Sequence, residues 1–193
     1  MSVKIFLRDI SKQIADAWRT IFDGYSNIEI SCGDIFDLQA DAIVSPANSF
    51  GFMDGGIDYI YSQYFGWDLQ KKLQKIIRDE YYGELPVGNA VILETGNKNI
   101  KYLISAPTMR LPQDVSETVN AYLAFRAALI EVLKFNKNSE DKIKSVLCPG
   151  LGTSVGRLPP NICASRMKKA YDSIFRGIPA FPKSLFEADG IIY

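Results

Sequence analysis

The chain has 193 residues, of which 47% are hydrophobic and 23% charged, as in an ordinary globular protein about one domain long. Its 22 basic residues balance 22 acidic ones, so no net field would hold a polyanion or an acidic membrane. No apolar run approaches the ~20 residues that span a bilayer, and charge enters the N-terminal segment too early for a secretory signal. We therefore expect a cytoplasmic protein with no membrane partner and no direct nucleic-acid patch.

Histidine is absent from the sequence. Its absence excludes Ser-His-Asp and Cys-His catalysis, His-ligated zinc and an imidazole general base. The cysteines Cys32, Cys148 and Cys163 are odd in number and lack metal-ligand spacing, so we expect reduced thiols. Chemistry must then use carboxylates, amides, hydroxyls, backbone N–H groups or bound water, and we expect neither a metal nor a cofactor.

The hydrophobic pattern predicts alternating strands and helices. In chain order, we expect a strand at 3–8, a helix at 10–22, strands at 27–31 and 42–45, helices at 59–64 and 69–77, strands at 90–94 and 102–106, a helix at 117–135, a strand at 143–148 and a helix at 160–175. The run at 42–45 is unbroken and apolar, which is typical of a central strand buried on both faces.

Some predicted strands follow one another without an intervening helix, which requires some antiparallel pairing. The prediction is therefore an α/β protein: a three-layer α/β/α sandwich with a central mixed, largely parallel sheet. We find no linker or internal repeat, so residues 1–193 are interpreted as a single domain. Its motif-bearing core runs from about 27 to 176, and 177–193 form a surface tail.

Residues 145–160 combine a short apolar strand, a loop with three glycines and a helix that begins with two prolines. Glycine lets the loop backbone approach a ligand closely, and proline suits the first helical turn. A helix N-terminus beside such a loop offers free N–H groups and a partial positive charge, which together suit a phosphate. The segment thus predicts an anion site, and the alternative is a plain strand-to-helix turn.

Residues 46–58 predict a second loop, at the carboxyl end of the buried strand, where ligands bind in open α/β sheets. It offers short polar side chains that suit a polyol such as ribose: Asn48, Asp54 and Asp58, beside Gly55 and Gly56. The structural alternatives are an Asx turn for Asn48 and a helix N-cap for Asp58. If the strands before the two loops run parallel, both loops flank one cleft.

Four segments, taken in order, resemble the macrodomain family. Gly33-Asp-Ile35 is similar to its Gly-Asp-Ile turn, and Ala40-Asp-Ala-Ile-Val-Ser-Pro-Ala-Asn-Ser49 to its Asp-Ala-Ile-Val-Asn-Ala-Ala-Asn strand. Gly55-Gly-Ile-Asp58 is similar to a glycine-rich loop that ends Gly-Val-Asp. Gly150-Leu-Gly-Thr-Ser-Val-Gly156 is similar to the family's second phosphate loop. The resemblance spans most of the chain and implies a cleft that binds ADP-ribose.

The resemblance also implies residue roles. Asp34 and the backbone of Ile35 would read the adenine amino group, and Asn48 would hold the distal ribose. Asp58 matches the aspartate implicated in mono-ADP-ribosyl hydrolysis in one branch, and its spacing from Asn48 agrees with that branch. The distal ribose and diphosphate would contact the remaining matched positions: Gly55, Gly56, Ile57, Gly150, Leu151, Gly152, Thr153, Ser154, Val155 and Gly156.

We therefore predict that the chain binds ADP-ribose, or an ADP-ribosylated macromolecule, and hydrolyses the bond at the distal ribose. Asp58 would be the base or water-orienting group, Asn48 would position the ribose, and ADP-ribose would be ligand, substrate or product. The sequence departs from the family at Ser45, where the first asparagine of the paired motif is usual, and at Phe52, where small residues are usual. A non-catalytic ADP-ribose reader is therefore the alternative hypothesis.

Two other nucleotide-binding classes fit less well. A dinucleotide oxidoreductase would carry its glycine motif early, with an acidic residue ending the next strand, whereas here the only candidate, Asp172, lies within a predicted helix. A nucleotide kinase would need the lysine and the Ser/Thr of a P-loop, which the 149–157 loop lacks.

Overall fold

The computed structural model describes residues 3–189 and 191. Within these residues, six strands form one sheet, with helices on both of its faces. The elements are β1 (Lys4–Asp9), α1 (Lys12–Ile21), β2 (Ile28–Cys32), a 3₁₀ turn (Ile35–Asp37), β3 (Ala42–Ser45), α2 (Gly56–Phe65), α3 (Asp68–Glu80), β4 (Val91–Glu94), β5 (Tyr102–Ser105), α4 (Asn120–Asn138), β6 (Ser145–Cys148), α5 (Pro160–Tyr171), a π-helical turn (Asp172–Arg176) and α6 (Leu185–Asp189). The predicted α/β/α sandwich is confirmed.

The strand order in the sheet is β2-β1-β6-β3-β5-β4. Every neighbouring pair is parallel except β4 and β5, which run antiparallel. Strand β3 lies between β6 and β5, with Ile43 opposite Leu147 on one side and Leu103 on the other. All four of its residues are buried, as predicted for a central strand. Because β1, β6, β3 and β5 are parallel, their carboxyl ends meet at one edge of the sheet.

Apolar side chains fill both faces of the sheet, because successive residues of a strand point to opposite faces. Val44 packs in a cluster with residues of α1, α4 and α5, whereas Ile43 packs with residues of α2 and α3. Trp18 of α1 and Leu73 of α3 are fully buried in these two clusters. Burial of each large apolar side chain contributes about 1.5–3 kcal/mol, so the helices are fixed firmly above and below the strand edge.

Two predicted details at that edge are wrong. The loop after β3 ends at Gly55 rather than at 58, because α2 begins at Gly56 and takes Asp58 into its first turn. The sequence allows either Asp9 or Ser11 as the cap of the first helix; the N-cap is Ser11, and the helix begins at Lys12 rather than at 10. Ile10 therefore precedes the helix and is 79% exposed.

Beyond the π-helical turn, residues 177–188 are mostly exposed, and Phe181, Leu185 and Phe186 are each about nine-tenths exposed. The predicted tail at 177–193 also includes 190, 192 and 193, which lie outside the described residues. No helix in the described part of the chain is long and apolar enough to cross a membrane.

Candidate functional site

A cleft of about 1020 Å³ opens at the edge where β1, β3, β5 and β6 end. This volume is at the upper end of the range usual for small-molecule sites, about 300–1000 Å³. The cleft is lined by all but one of the predicted site residues: Asp34, Ile35, Asn48, Gly55, Gly56, Ile57, Asp58, Gly150, Gly152, Thr153, Ser154, Val155 and Gly156. The loops after β3 and β6 therefore flank one cleft, as their parallel strands require.

Leu151 is the predicted site residue that does not line the cleft. Its side chain is fully buried in the core cluster with α1, α4 and α5. An apolar side chain in the middle of a short loop gains more from the core than from solvent, so Leu151 anchors the loop from below.

The β6 loop, residues 149–159, carries a run of unpaired backbone donors. The Gly150 N–H donates to Asp9 Oδ2 at 3.0 Å, and the Leu158 N–H donates to the Gly152 carbonyl at 2.9 Å. Among the residues that the structure describes, no acceptor is found for the N–H groups of 152–156. Pro159 and Pro160, which open α5, have no N–H to offer. Within the described residues, Pro160 is the only part of α5 that lines the cleft, so the donors that face the cleft come from the loop and not from the helix start that the sequence suggested.

Two glycines let the β6 loop fold back on itself. Gly152 has a φ of +72°, a conformation that favours glycine. A Cβ at Gly156 would lie 2.6 Å from the Gly152 carbonyl oxygen and 2.6 Å from Val115 Cγ2. Side chains at these two positions would push the loop away from Val115, so both glycines serve the shape of the loop.

The N-terminus of α2 provides a second set of donors in the same cleft. Its N-cap is Gly55, which has no side chain to cap the helix. Within the described residues, the N–H groups of Gly56, Ile57 and Asp58 have no acceptor, as expected for a first helical turn. A helix N-terminus also carries a partial positive charge. A Cβ added at Gly55 or Gly56 would meet nothing within 4 Å, so the backbone there is open to a ligand.

The carboxyl group of Asp58 is the buried titratable group of the cleft. Asp58 is 6% exposed, and its Oδ1 accepts a hydrogen bond from Ser45 Oγ at 2.6 Å. Burial disfavours the charged carboxylate and raises its pKa from 3.8 to about 7, and the Ser45 hydroxyl opposes this rise. The predicted N-cap alternative does not occur, because Asp58 is the third residue of α2.

The raised pKa of Asp58 makes stability depend on pH. Between pH 3.8 and about 7 the folded state binds a proton that the unfolded state releases, so stability falls as the pH rises through this window. Asp58→Asn removes this titration. We expect the variant to be more stable than the wild type above about pH 7, by up to about 4 kcal/mol. Urea unfolding at about pH 5 and pH 8 measures this; a gain that does not grow with pH would contradict it.

The side chain of Asn48 is occupied by its own loop. Its Oδ1 accepts hydrogen bonds from the N–H groups of Phe50 and Phe52, and its Nδ2 donates to the Phe52 carbonyl at 2.8 Å. The Asx-turn alternative therefore occurs. An amide carries two N–H donors, so one N–H of Asn48 is left for a ligand in the cleft.

Asp34 and Arg8 also line the cleft. Asp34 Oδ1 accepts a hydrogen bond from the Phe36 N–H at 2.9 Å and so caps the 3₁₀ turn. Arg8 donates to the Asp34 carbonyl and, at 2.8 Å, to the Asp37 carboxylate. Ile35 is buried, whereas Asp34 is exposed. One carboxylate oxygen of Asp34 is thus held, and its second oxygen remains for a ligand.

Several lining residues were missed by the sequence analysis. Asp9 is the last residue of β1 and Ile10 follows it, whereas Thr108 and Met109 follow β5. These segments belong to the cleft because β1 and β5 flank the central pair β6 and β3. Their positions after predicted strands were a signal that could have identified them. That signal can be interpreted only with the strand order, which the sequence does not give. No group of three or more His, Cys, Asp or Glu within the described residues is placed to hold a metal ion.

The sandwich and its cleft define an α/β domain suited to a phosphorylated sugar, with two sets of backbone donors beside a buried carboxyl group. The macro domain family model matches residues 44–167. An uncharacterized protein of Aquifex aeolicus is 33% identical over 141 residues, which are 73% of this chain and 78% of that protein. The chain belongs to the macro domain family.

Solved structures agree with this fold. The macrodomain of Mycobacterium tuberculosis DarG superimposes with a TM-score of 0.62 at 21% identity, over 75% of this chain and 89% of that one. Thermosipho africanus DarTG in complex with ADP-ribose gives a TM-score of 0.59 at 20% identity, over 74% of this chain and 38% of that one. At these identities the likeness concerns the fold alone.

Proposed function

We propose that this chain binds ADP-ribose in the cleft and hydrolyses the bond between the distal ribose and a conjugate, an ADP-ribosylated macromolecule. One observation carries the proposal: the buried carboxyl group of Asp58 lies in the same cleft as the two sets of free backbone donors. Thermosipho africanus DarTG, part of which shares this fold, is in complex with ADP-ribose, and this supports the choice of ligand.

The chemistry of ADP-ribose fits this cleft. The ligand carries two negative charges, two ribose diols and one adenine. Backbone N–H groups of the β6 loop and of the α2 N-terminus stabilise the diphosphate, so a protein of zero formal net charge needs no basic patch. The free carboxylate oxygen of Asp34 accepts a hydrogen bond from the adenine amino group, while the remaining N–H of Asn48 donates to the distal ribose.

Hydrolysis uses Asp58 as a general base. Its ionised carboxylate takes a proton from a water molecule whose oxygen attacks the anomeric carbon of the distal ribose. The bond from that carbon to the conjugate breaks, and the leaving group receives a proton, so ADP-ribose and the free macromolecule are the products. A pKa of about 7 suits this role, because a base is most effective when its pKa lies near the working pH.

A non-catalytic reader is the second candidate, and the geometry of Asn48 favours it. The amide of Asn48 holds its own loop through three hydrogen bonds. A ribose-positioning amide with one free N–H has less control over the orientation of the sugar, and orientation is a large part of catalysis.

Two measurements separate these possibilities. ADP-ribose at about 100 times its Kd adds about 2.7 kcal/mol of stability, and we expect a rise of about 5–10 °C in melting temperature. Inorganic phosphate at the same concentration should give a much smaller rise. Incubation with a mono-ADP-ribosylated protein should then release ADP-ribose above the rate without enzyme. If ADP-ribose leaves the melting temperature unchanged, the proposed binding is contradicted. If ADP-ribose binds but is not released from the conjugate, the hydrolysis is contradicted and the non-catalytic reader is supported.

A further inference from the structure

A buried serine that does not itself line the cleft contacts Asp58, which does. Ser45 is the last residue of β3, and its side chain is fully buried. Alternation along the strand places it on the same face as Ile43, toward α2 and α3. A buried hydroxyl group without a hydrogen-bond partner lowers stability by about 1–3 kcal/mol. The partner of a buried serine therefore indicates its structural role.

The partner of Ser45 is the Asp58 carboxyl group. Ser45 Oγ donates to Asp58 Oδ1 at 2.6 Å, and in the described part of the chain no other side-chain or backbone donor contacts this carboxyl group. Distances of about 2.5–2.7 Å are typical of a hydroxyl that donates to an ionised carboxylate. Oδ2 therefore remains available to the cleft that Asp58 lines.

The other titratable groups near Asp58 do not replace this contact. Tyr61, one turn along α2, donates its hydroxyl to the Val44 carbonyl at 3.2 Å. Burial raises the pKa of Tyr61, and Asp58, Cys148 of β6 and Asp9 of β1 raise it further, so Tyr61 stays neutral. None of these three groups supplies a positive charge to the carboxylate.

We infer that Ser45 is a positioning residue for Asp58: its hydroxyl fixes Oδ1 at the end of β3 and leaves Oδ2 to face the water or sugar hydroxyl in the cleft. The inference rests on the proposed hydrolysis for its role in turnover. The contact joins the end of the central strand to the first turn of α2, so it sets both the direction of the carboxylate and the preference for its charged form.

The experiment compares Ser45→Ala with Ser105→Ala. Ser105 is the matched control, because it pairs with Ser45 across β3 and β5 and is equally buried, yet its hydroxyl has no partner in the described residues. NMR titration of the Asp58 carboxyl carbon gives the midpoint directly. We expect the midpoint to rise by about one to two pH units in Ser45→Ala, since a hydrogen bond to a charged group has been lost. It should not move in Ser105→Ala, and Ser45→Thr should restore the wild-type midpoint.

The pH–rate profile of ADP-ribose release is the second readout. Its acid limb should move by the same one to two pH units in Ser45→Ala, so release at pH 7 falls about 5- to 50-fold and recovers at alkaline pH. An unmoved NMR midpoint in Ser45→Ala, or an equal movement in Ser105→Ala, overturns the inference. If the wild type binds ADP-ribose but does not release it from a mono-ADP-ribosylated protein, only the proposed hydrolysis is contradicted. The NMR titration still decides whether Ser45 controls the protonation of Asp58.

Discussion

Asp58→Asn is expected to lower the rate of ADP-ribose release by about 10²–10⁴, the usual contribution of a general base. Asparagine keeps the size of the side chain and can still accept the hydrogen bond from Ser45 Oγ. It cannot accept a proton from water. The affinity for ADP-ribose should change by less than about fivefold, because the diphosphate is held by backbone donors elsewhere in the cleft.

The test is single-turnover release from a mono-ADP-ribosylated protein at about pH 7 and pH 8, with calorimetry of ADP-ribose binding on the same samples. Loss of structure is excluded as a cause, because Asn should stabilise the fold at these pH values by removing a buried charge. A variant that is more stable, binds normally and releases nothing identifies Asp58 as the base. An unchanged rate of release would show that Asp58 is not the general base. Other cleft residues would then have to hold the attacking water.

This pairing of higher stability with lower activity is a general property of buried catalytic charges. The wild-type protein keeps a carboxyl group where burial opposes its ionisation, and under the proposed hydrolysis the destabilisation is tolerated because turnover uses the charge. Ser45 reduces this cost without removing it, since it supplies one donor to a group that accepts several hydrogen bonds.

Much of the fold could be predicted from periodicity. The apolar run at 42–45 identified a strand buried on both faces, and parallel strands bring their carboxyl ends together. From these two rules the loops after β3 and β6 were expected to flank one cleft, and the structure brings them together there. Such reasoning works because burial and strand direction depend on short stretches of sequence.

Strand order could not be predicted, because it depends on which distant segments pair. β1 inserts beside β6, from the other end of the chain, and so brings Asp9 beside the β6 loop, where it accepts the Gly150 N–H. A contact across most of the sequence leaves no local pattern. The same limit applied to Leu151, since only the packing of the loop on the core decides which way its side chain points.

Side-chain partners within the site also escaped the sequence. Asn48 and Asp58 were identified by residue type and spacing, but of their hydrogen bonds only the Asx turn of Asn48 was anticipated, as an alternative. Asn48 binds its own loop, and Asp58 binds Ser45, the residue that interrupts the family's asparagine pair. A sequence position can therefore indicate that a residue lies in a site, whereas its protonation and orientation depend on neighbours that the fold assembles.

Ser154→Asp is expected to weaken ADP-ribose binding by about 100-fold or more. Ser154 is exposed on the β6 loop, lines the cleft and lies within the run of unpaired N–H donors at 152–156. A carboxylate there would face the diphosphate. Two unit charges about 4 Å apart repel by about 4 kcal/mol at the effective dielectric near a protein surface, and solvent exposure reduces this figure.

Ser154→Asn is the matched control, because asparagine has the shape of aspartate without its charge. We expect its affinity for ADP-ribose to stay within about threefold of the wild type, since a tenfold change in Kd would need a loss of about 1.4 kcal/mol. Calorimetry at low and high salt separates charge from shape, because the aspartate penalty should shrink as salt screens the repulsion. Equal losses in both variants would indicate a steric effect. Unchanged affinity in Ser154→Asp would show that the diphosphate does not lie on the β6 loop.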